Sequence, residues 1–393
     1  MSEQAAMDLA TVLLEDAIKT ADEESENFSL QLDVALCLLE RERAGGPPGD
    51  PTAYLGRAIE IIRGREETGP WIYGGAAQLG WVANTLVRRG LLKALNAEWI
   101  DEYVLSSARD YPESLDVDLL QGVIGLGVYG LSTPSPSARE AITAAVVDVI
   151  GKRADSDQDG MFLRRSSPYR ASLGRGYVLG QRDLGVAHGT MGVAAYLAMV
   201  ARSGLSPAPQ ALELLTPMAR WLLAMAVPDD ETTVFGAIAE SRWHPTRSAW
   251  CYGDPGSSIA LALVAESLQE QELKSACEEH ALRAATAAAG RPSERSGVTD
   301  ASVCHGAAGL CYFGRKWSQT FDLDSMGYAQ EWYSWIEQRR IGGRLSYLKP
   351  TGQVQDASFL EGDCGTAAVL FYLASGKAPL WEELLLMARP EDV

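Results

Sequence analysis

The sequence predicts an all-α fold in which paired helices repeat around a ring, an α/α toroid of six to seven repeats with small β-containing insertions. Three observations carry this. A glycine pair recurs at intervals of 53 to 67 residues, at Gly122/Gly125, Gly189/Gly192, Gly253/Gly256, Gly306/Gly309 and Gly362/Gly365. Gly75-Ala-Ala-Gln78 is a degenerate sixth copy. Each pair opens a run that is apolar on nearly every side, as in Gly192 to Val200 and Gly365 to Ala374, and a helix apolar all round is a buried one. Between the runs lie amphipathic stretches. Ser137 to Lys152 places Ile142, Ala145, Val146, Val149 and Ile150 on one stripe behind Ser-Pro start signals. Buried helices alternating with half-buried ones predict an inner and an outer layer. Periodicity alone leaves an open solenoid as the plainer alternative.

The 393 residues are expected to form one domain, 1–393, because each repeat needs its neighbours to bury its apolar face. Two long connections, at about 153–186 and 227–250, interrupt the pattern. Each has a β-like piece, Met161 to Arg165 and Thr233 to Gly236, able to form a hairpin over one end of the ring. Long loops in a compact fold tend to be functional. Met1 to Glu24 reads as a polar amphipathic helix without the basic start and apolar core of a signal peptide.

Composition excludes several classes of partner. The net charge is −18, from 34 Lys+Arg against 52 Asp+Glu, with no basic cluster to grip phosphates, so nucleic acid is not an expected partner. No apolar stretch reaches about 18 residues, so no membrane span is expected. Six scattered cysteines suit a reducing cytoplasm better than a disulfide framework.

Aligning the repeats on the first glycine brings the reactive residues into register. Cys251 and Cys304 each precede their glycine by two positions, and His188 and His305 by one. Asp118 lies four before Gly122. If the inner helices are parallel, these residues meet at one mouth of the ring. Cys251, Cys304 and His305 then form a Cys₂His set, the composition of a catalytic zinc site with an open fourth position. His188 is the natural general acid or base. Asp118 either orients His188 or caps the next helix. Arg247, four before Cys251, is a candidate for stabilising negative charge, with a solvated surface residue as the alternative. Tyr252 offers a hydroxyl with the same ambiguity. Cys37, Cys277, Cys311 and Cys364 lie off the register and read as small buried apolar groups. His244 and His280 read as surface or locally satisfied residues.

Arg247-Ser-Ala-Trp-Cys-Tyr-Gly-Asp-Pro-Gly256, Cys304-His-Gly306 and Asp183-Leu-Gly-Val-Ala-His-Gly189 resemble the motifs of the lanthionine synthetase C-like family over about residues 70 to 375. The sequence departs from that pattern at Gln78 and at Asp363-Cys364, neither a matched site position. The resemblance implies one zinc ion held by Cys251, Cys304 and His305, with His188, Asp118, Arg247 and Tyr252 around it. It implies a cyclase adding peptide cysteine thiols to dehydrated serine or threonine. Only about 70 residues precede the first repeat, which suggests a stand-alone cyclase served by a separate dehydratase. The expected substrate is a dehydrated precursor peptide with its leader. An export transporter is a further candidate partner, met at the edge of a membrane-associated assembly. Two other classes stay open: an enzyme adding glutathione to dehydrated residues, and a peptide-binding module that zinc merely stabilises.

Overall fold

The computed structural model describes residues 2–65, 67–93, 97–172, 176–228 and 233–388. The chain opens with α1 (Glu3–Glu23), then pairs α2 (Phe28–Arg43) with α3 (Pro51–Arg63), α4 (Ala76–Arg88) with α5 (Glu98–Arg109), and α6 (Val123–Ser132) with α7 (Pro136–Arg153). An antiparallel hairpin, β1 (Asp155–Asp157) with β2 (Gly160–Phe162), and a short helix α8 (Pro168–Ser172) follow. The pairs resume with α9 (Thr190–Arg202) and α10 (Ala208–Ala224), α11 (Asp254–Ser267) and α12 (Gln271–Ala289), and α13 (Ala307–Phe321) and α14 (Met326–Gln338). A second hairpin, β3 (Tyr347–Lys349) with β4 (Gly352–Val354), precedes α15 (Asp363–Ser375).

The ring closes. Going round, α2 packs on α4, α4 on α6, α6 on α9, α9 on α11, α11 on α13, α13 on α15, and α15 again on α2. Each inner helix except the last is backed by the outer helix that follows it, and α15 is backed by α1. The amphipathic stripe of α1 (Leu9, Leu13, Leu14, Ala17) is buried in that contact, so the first helix completes the last pair. The seventh inner helix is α2, which lacks the glycine pair and escapes the repeat pattern. Thirteen of its residues are nonetheless buried, as in its ring neighbours.

The glycines explain how six inner helices begin. Gly75, Gly122, Gly189, Gly253, Gly306 and Gly362 are N-caps with no side-chain cap bond. The unpaired N–H groups of each first turn must find acceptors elsewhere. They find them in the carbonyls of the preceding loop, folded back over the helix end. Thr190 N donates to Asp183 O at 2.8 Å, Ala307 N to Asp300 O at 2.9 Å and Asp363 N to Asp356 O at 2.9 Å. The fold-back leaves no room for a side chain at the second glycine. A Cβ on Gly365 would run into the carbonyl of Phe359, and one on Gly256 into that of Trp250. Gly253 also has φ +98°, a left-handed conformation that favours glycine.

The interior of the ring is occupied by the chain's own C-terminal segment. Leu380 to Ala388 is buried throughout. Leu380 N donates to Glu40 of α2 at 2.6 Å, Tyr312 and Lys316 of α13 bond Glu382, and Trp81 of α4 bonds Glu383. Further along, the Tyr73 hydroxyl donates to Leu384 O and Trp250 Nε1 to Leu385 O, both just ahead of inner helices. The segment thus climbs from the C-terminal ends of the inner helices toward their N-terminal ends.

The insertions differ in part from expectation. The hairpin in the first connection forms, but Thr233 to Gly236 makes no strand, and the second hairpin lies instead at 347–354. The Val234 and Phe235 N–H groups are taken by the buried Asp254 carboxylate rather than by a neighbouring strand. Residues 173–175 and 229–232 of the two connections lie outside the described residues. Among the described residues no helix is long and apolar enough to cross a membrane.

Candidate functional site at the mouth of the ring

Hydrogen bonds between consecutive loops hold the starts of the inner helices at one end. Leu119 N donates to Ala187 O at 3.1 Å, Val186 N to Cys251 O at 3.0 Å, Trp250 N to Cys304 O at 3.0 Å and Cys304 N to Leu360 O at 3.0 Å. Residues in equivalent positions of neighbouring repeats are therefore neighbours in space.

On the α11–α13 side this places Cys251, Cys304 and His305 together, with one ligand atom from each within 4.8 Å of the others. His305 Nδ1 is buried with no hydrogen-bond partner among the described residues, as a nitrogen reserved for a metal would be. Its Nε2 has a carboxylate oxygen nearby, Asp300 Oδ2 at 4.0 Å, beyond hydrogen-bond distance. A hydrogen bond from the Cys304 thiol, aided by His305 and the positive charge of Arg247, pulls the Cys251 thiol well below its ordinary pKa. The donor set and the bare nitrogen together fit a soft divalent cation such as zinc.

On the α6–α9 side, His188 Nδ1 lies 3.0 Å from Asp118 Oδ2. The Asp118 carboxylate is fully buried, and its other oxygen accepts from Gln121 N at 3.0 Å. Burial opposes its charge, but the His188 hydrogen bond and the charges of His188 and Arg170 outweigh burial and hold its pKa below the usual carboxylate value. Burial likewise opposes the charged form of His188, yet Asp118 prevails and raises the imidazole above its ordinary value. His188 opens into a cavity of about 460 Å³ lined also by Tyr73, Gln121, Arg165, Arg170 and Tyr252. A larger hollow of about 620 Å³ lies along α12 and is lined by none of the site residues.

Tyr252 joins the two sides. It follows Cys251 in sequence, and its ring centroid lies 6.2 Å from that of His188. Its hydroxyl donates to Asp183 Oδ2 at 2.8 Å, and burial with the Asp183 charge raises its pKa well above the phenol value, so it stays protonated. Arg247 does not line the His188 cavity. It is exposed, walls a smaller hollow of about 240 Å³ with Tyr252, and stands on the metal-ligand side, where its charge reaches Cys251.

A family profile described as lanthionine synthetase C-like protein matches residues 34–386. The chain belongs to the lanthionine synthetase C-like family. Among solved structures it is similar to nisin cyclase, at 19% identity over 95% of this chain and 96% of that one, with a TM-score of 0.70. An inactive alpha-1,6-mannanase variant from Salegentibacter sp. HEL1_6 aligns at 12% identity over 94% and 98% of the two chains, with a TM-score of 0.45. No curated protein sequence matches. The family match begins inside α2 and ends inside the buried C-terminal segment, wider than the 70 to 375 of the motif resemblance, and so takes in the glycine-free inner helix and the axial segment as well.

For this family member, the structure brings together all three expected metal ligands and the expected His188–Asp118 pair. Asp118 is not the N-cap of α6; Gly122 is. The four off-register cysteines are buried. His244 is exposed, and His280 Nδ1 donates to Ala276 O at 2.9 Å. Sequence reasoning missed Arg165, Arg170, Asp116, Asp183 and Asp300. A signal existed for the carboxylates: Asp116, Asp183, Asp300 and Asp356 all stand six residues before their first glycine, where Arg247 stands in the α11 repeat. The arginines come from the insertion, which has no register to read.

Proposed function

We propose that this protein is a zinc-dependent lanthipeptide cyclase, closing thioether rings by adding peptide cysteine thiols to dehydroalanine and dehydrobutyrine in the same chain. The supporting observation is the sharing of one mouth by a Cys₂His cluster and a carboxylate-backed histidine facing a cavity, in a family member. Cys251, Cys304 and His305 would hold the zinc, which when bound lowers the pKa of an arriving substrate thiol from about 8.5 so that thiolate is available near neutral pH. His188 takes the thiol proton. The sulfur then bonds to the β-carbon, and the π electrons of the alkene move onto the carbonyl oxygen as an enolate. Tyr252, held protonated, or Arg247 donates to that oxygen. The enolate collapses as the α-carbon takes a proton returned by His188. Thiol and alkene become thioether with no net loss of protons or electrons.

Exposed apolar side chains on the two long connections, Tyr169, Val178, Leu179 and Trp243, suit a peptide substrate better than a small polar thiol such as glutathione. The decisive experiment measures zinc per chain by elemental mass spectrometry, then incubates the protein with a chemically dehydrated cysteine-containing peptide. Ring closure shows as loss of thiol alkylation at unchanged mass. Metal-free protein, or peptide left fully alkylatable by the zinc-loaded protein, would sink the proposal.

A further inference from the structure

Arg170 has no task in the chemistry above, yet it is placed against the dyad by a built device. The first insertion docks on one carboxylate. Asp116 Oδ1 accepts from Ser166 N at 2.7 Å, Ser167 N at 3.2 Å and the Tyr177 hydroxyl at 2.6 Å. The docked segment carries α8, and α8 carries Arg170. Its Nη1 lies 3.3 Å from Asp116 Oδ2, forms an ion pair with Asp118 Oδ2 and approaches His188 Nδ1 at 3.2 Å.

Donor counting resolves this triangle. A guanidinium only donates. If it donated to His188 Nδ1, that nitrogen would be bare, and its lone pair would face Asp118 Oδ2 at 3.0 Å, acceptor against acceptor. The contacts are satisfied together only if Nδ1 carries a proton and gives it to Asp118 Oδ2, whose remaining lone pair takes Arg170. His188 Nε2 is then the nitrogen free to exchange protons with substrate. We propose that Arg170 is a positioning residue of the dyad: delivered by the docked insertion, it shares Asp118 Oδ2 with His188 and holds the imidazole with Nε2 open.

The arrangement also balances charge. The groups facing His188 are Asp118 and Asp116 ahead of α6, Arg165, Arg170 and Tyr177 from the insertion, Asp183 ahead of α9, Tyr252 ahead of α11 and Tyr73 ahead of α4. With Arg170 gone, Asp118 and Asp116 would bear on the imidazole with less opposition, and His188 would keep its proton to higher pH. A base that is already protonated cannot take the thiol proton.

The test uses the zinc-loaded protein labelled with ¹⁵N-histidine; the four histidines give few signals, and His188→Asn assigns one of them. In the wild type, neutral His188 should be the Nδ1–H tautomer. Arg170→Met should raise its titration midpoint by about one unit, a tenfold change in proton affinity, while Arg170→Lys should restore it. Arg170→Gln reads the same loss of charge should Arg170→Met fail to fold. The acid limb of the pH profile for ring closure should move with the midpoint. An Nε2–H tautomer in the wild type, or an unmoved midpoint in Arg170→Met and Arg170→Gln, overturns the assignment. The inference rests on the cyclase reading only for its pH profile. A shifted midpoint in a protein that closes no rings would reject the cyclase and leave Arg170 in place.

Discussion

The two sides of the mouth are built from the same repeat but by different means. Between α11 and α13, three ligands stand at fixed positions before their glycines, and backbone hydrogen bonds between adjacent loops bring them together. Between α6 and α9 the repeat supplies the histidine and the carboxylates, His188, Asp116, Asp118 and Asp183; a loop inserted between helix pairs supplies the cations that pair with them, Arg165 on Asp183 and Arg170 on Asp116 and Asp118. A metal site needs a few soft ligands at set distances, which rigid helix starts provide. A proton-transfer site needs a tuned field, which takes charges from several directions. The first arises from repetition, the second from repetition interrupted.

The largest expected effect breaks the metal side alone. Cys304→Ala should lower bound zinc from about one per chain to near zero and abolish ring closure, because Cys251 and His305 cannot hold the ion alone at a useful affinity. Far-UV circular dichroism should still report a helical protein, since the ring is closed by its apolar core and not by the metal. Loss of helicity on removing zinc with a chelator would make the metal structural and weaken the division drawn here. Next in size, His188→Asn should leave zinc in place and slow ring closure by about 10²–10⁴-fold, the usual worth of a general acid–base group. Unchanged cyclisation would remove His188 from the chemistry.

The same contrast explains what could be read in advance. Glycine spacing exposed six inner helices because the fold-back loop forbids a side chain at those positions, and it exposed Cys251, Cys304 and His305 because they share that register. It could not expose α2, whose start is not built on a glycine pair, nor the axial path of Leu380 to Ala388, which shows no period at all. The ring closes through α2, which packs on both α15 and α4, and this is why sequence periodicity left an open solenoid standing. Arg165 and Arg170 were hidden for a related reason. Their partners are fixed by how the insertion after α7 folds back, and no local pattern records that.

Glycine substitutions sharpen the comparison between inner and outer helices. Gly365→Ala places a methyl against the Phe359 carbonyl, a clash with backbone that cannot swing aside, and should cost about 2–3 kcal/mol of stability. Gly56→Ala, in the outer helix α3, meets nothing within 4 Å and should stabilise by up to ~1 kcal/mol through helix propensity. Thermal denaturation of the two variants should therefore move in opposite directions. A neutral Gly365→Ala would mean the fold-back loop is looser than its contacts indicate.

The smallest effect separates the mouth from the seam where α15 meets α2. Burial pushes Asp33, Glu40 and Asp363 up to about 7, whereas Asp118 at the mouth is held below its ordinary value. The signs oppose. In the unfolded chain these carboxyls titrate near 4. The seam groups keep their protons in the folded state up to about pH 7, so their contribution is fully present below pH ~4 and is lost as pH rises through 7. Asp118 contributes above pH ~4, and that contribution is lost as pH falls through its lower folded value. Between pH 5 and 8 the seam carboxyls titrate together with Asp254, which burial raises to about 6, and with His188, and all of these raised groups act in one direction, so the melting temperature should fall across that window. Asp363→Asn keeps the acceptor for the Tyr347 hydroxyl, which donates to Oδ1 at 2.7 Å, and removes one titrating group. It should flatten the slope without touching zinc binding. A slope unchanged by Asp363→Asn would place the titration elsewhere, and a melting temperature that rises toward pH 8 would mean the seam carboxyls are already ionised in the folded ring.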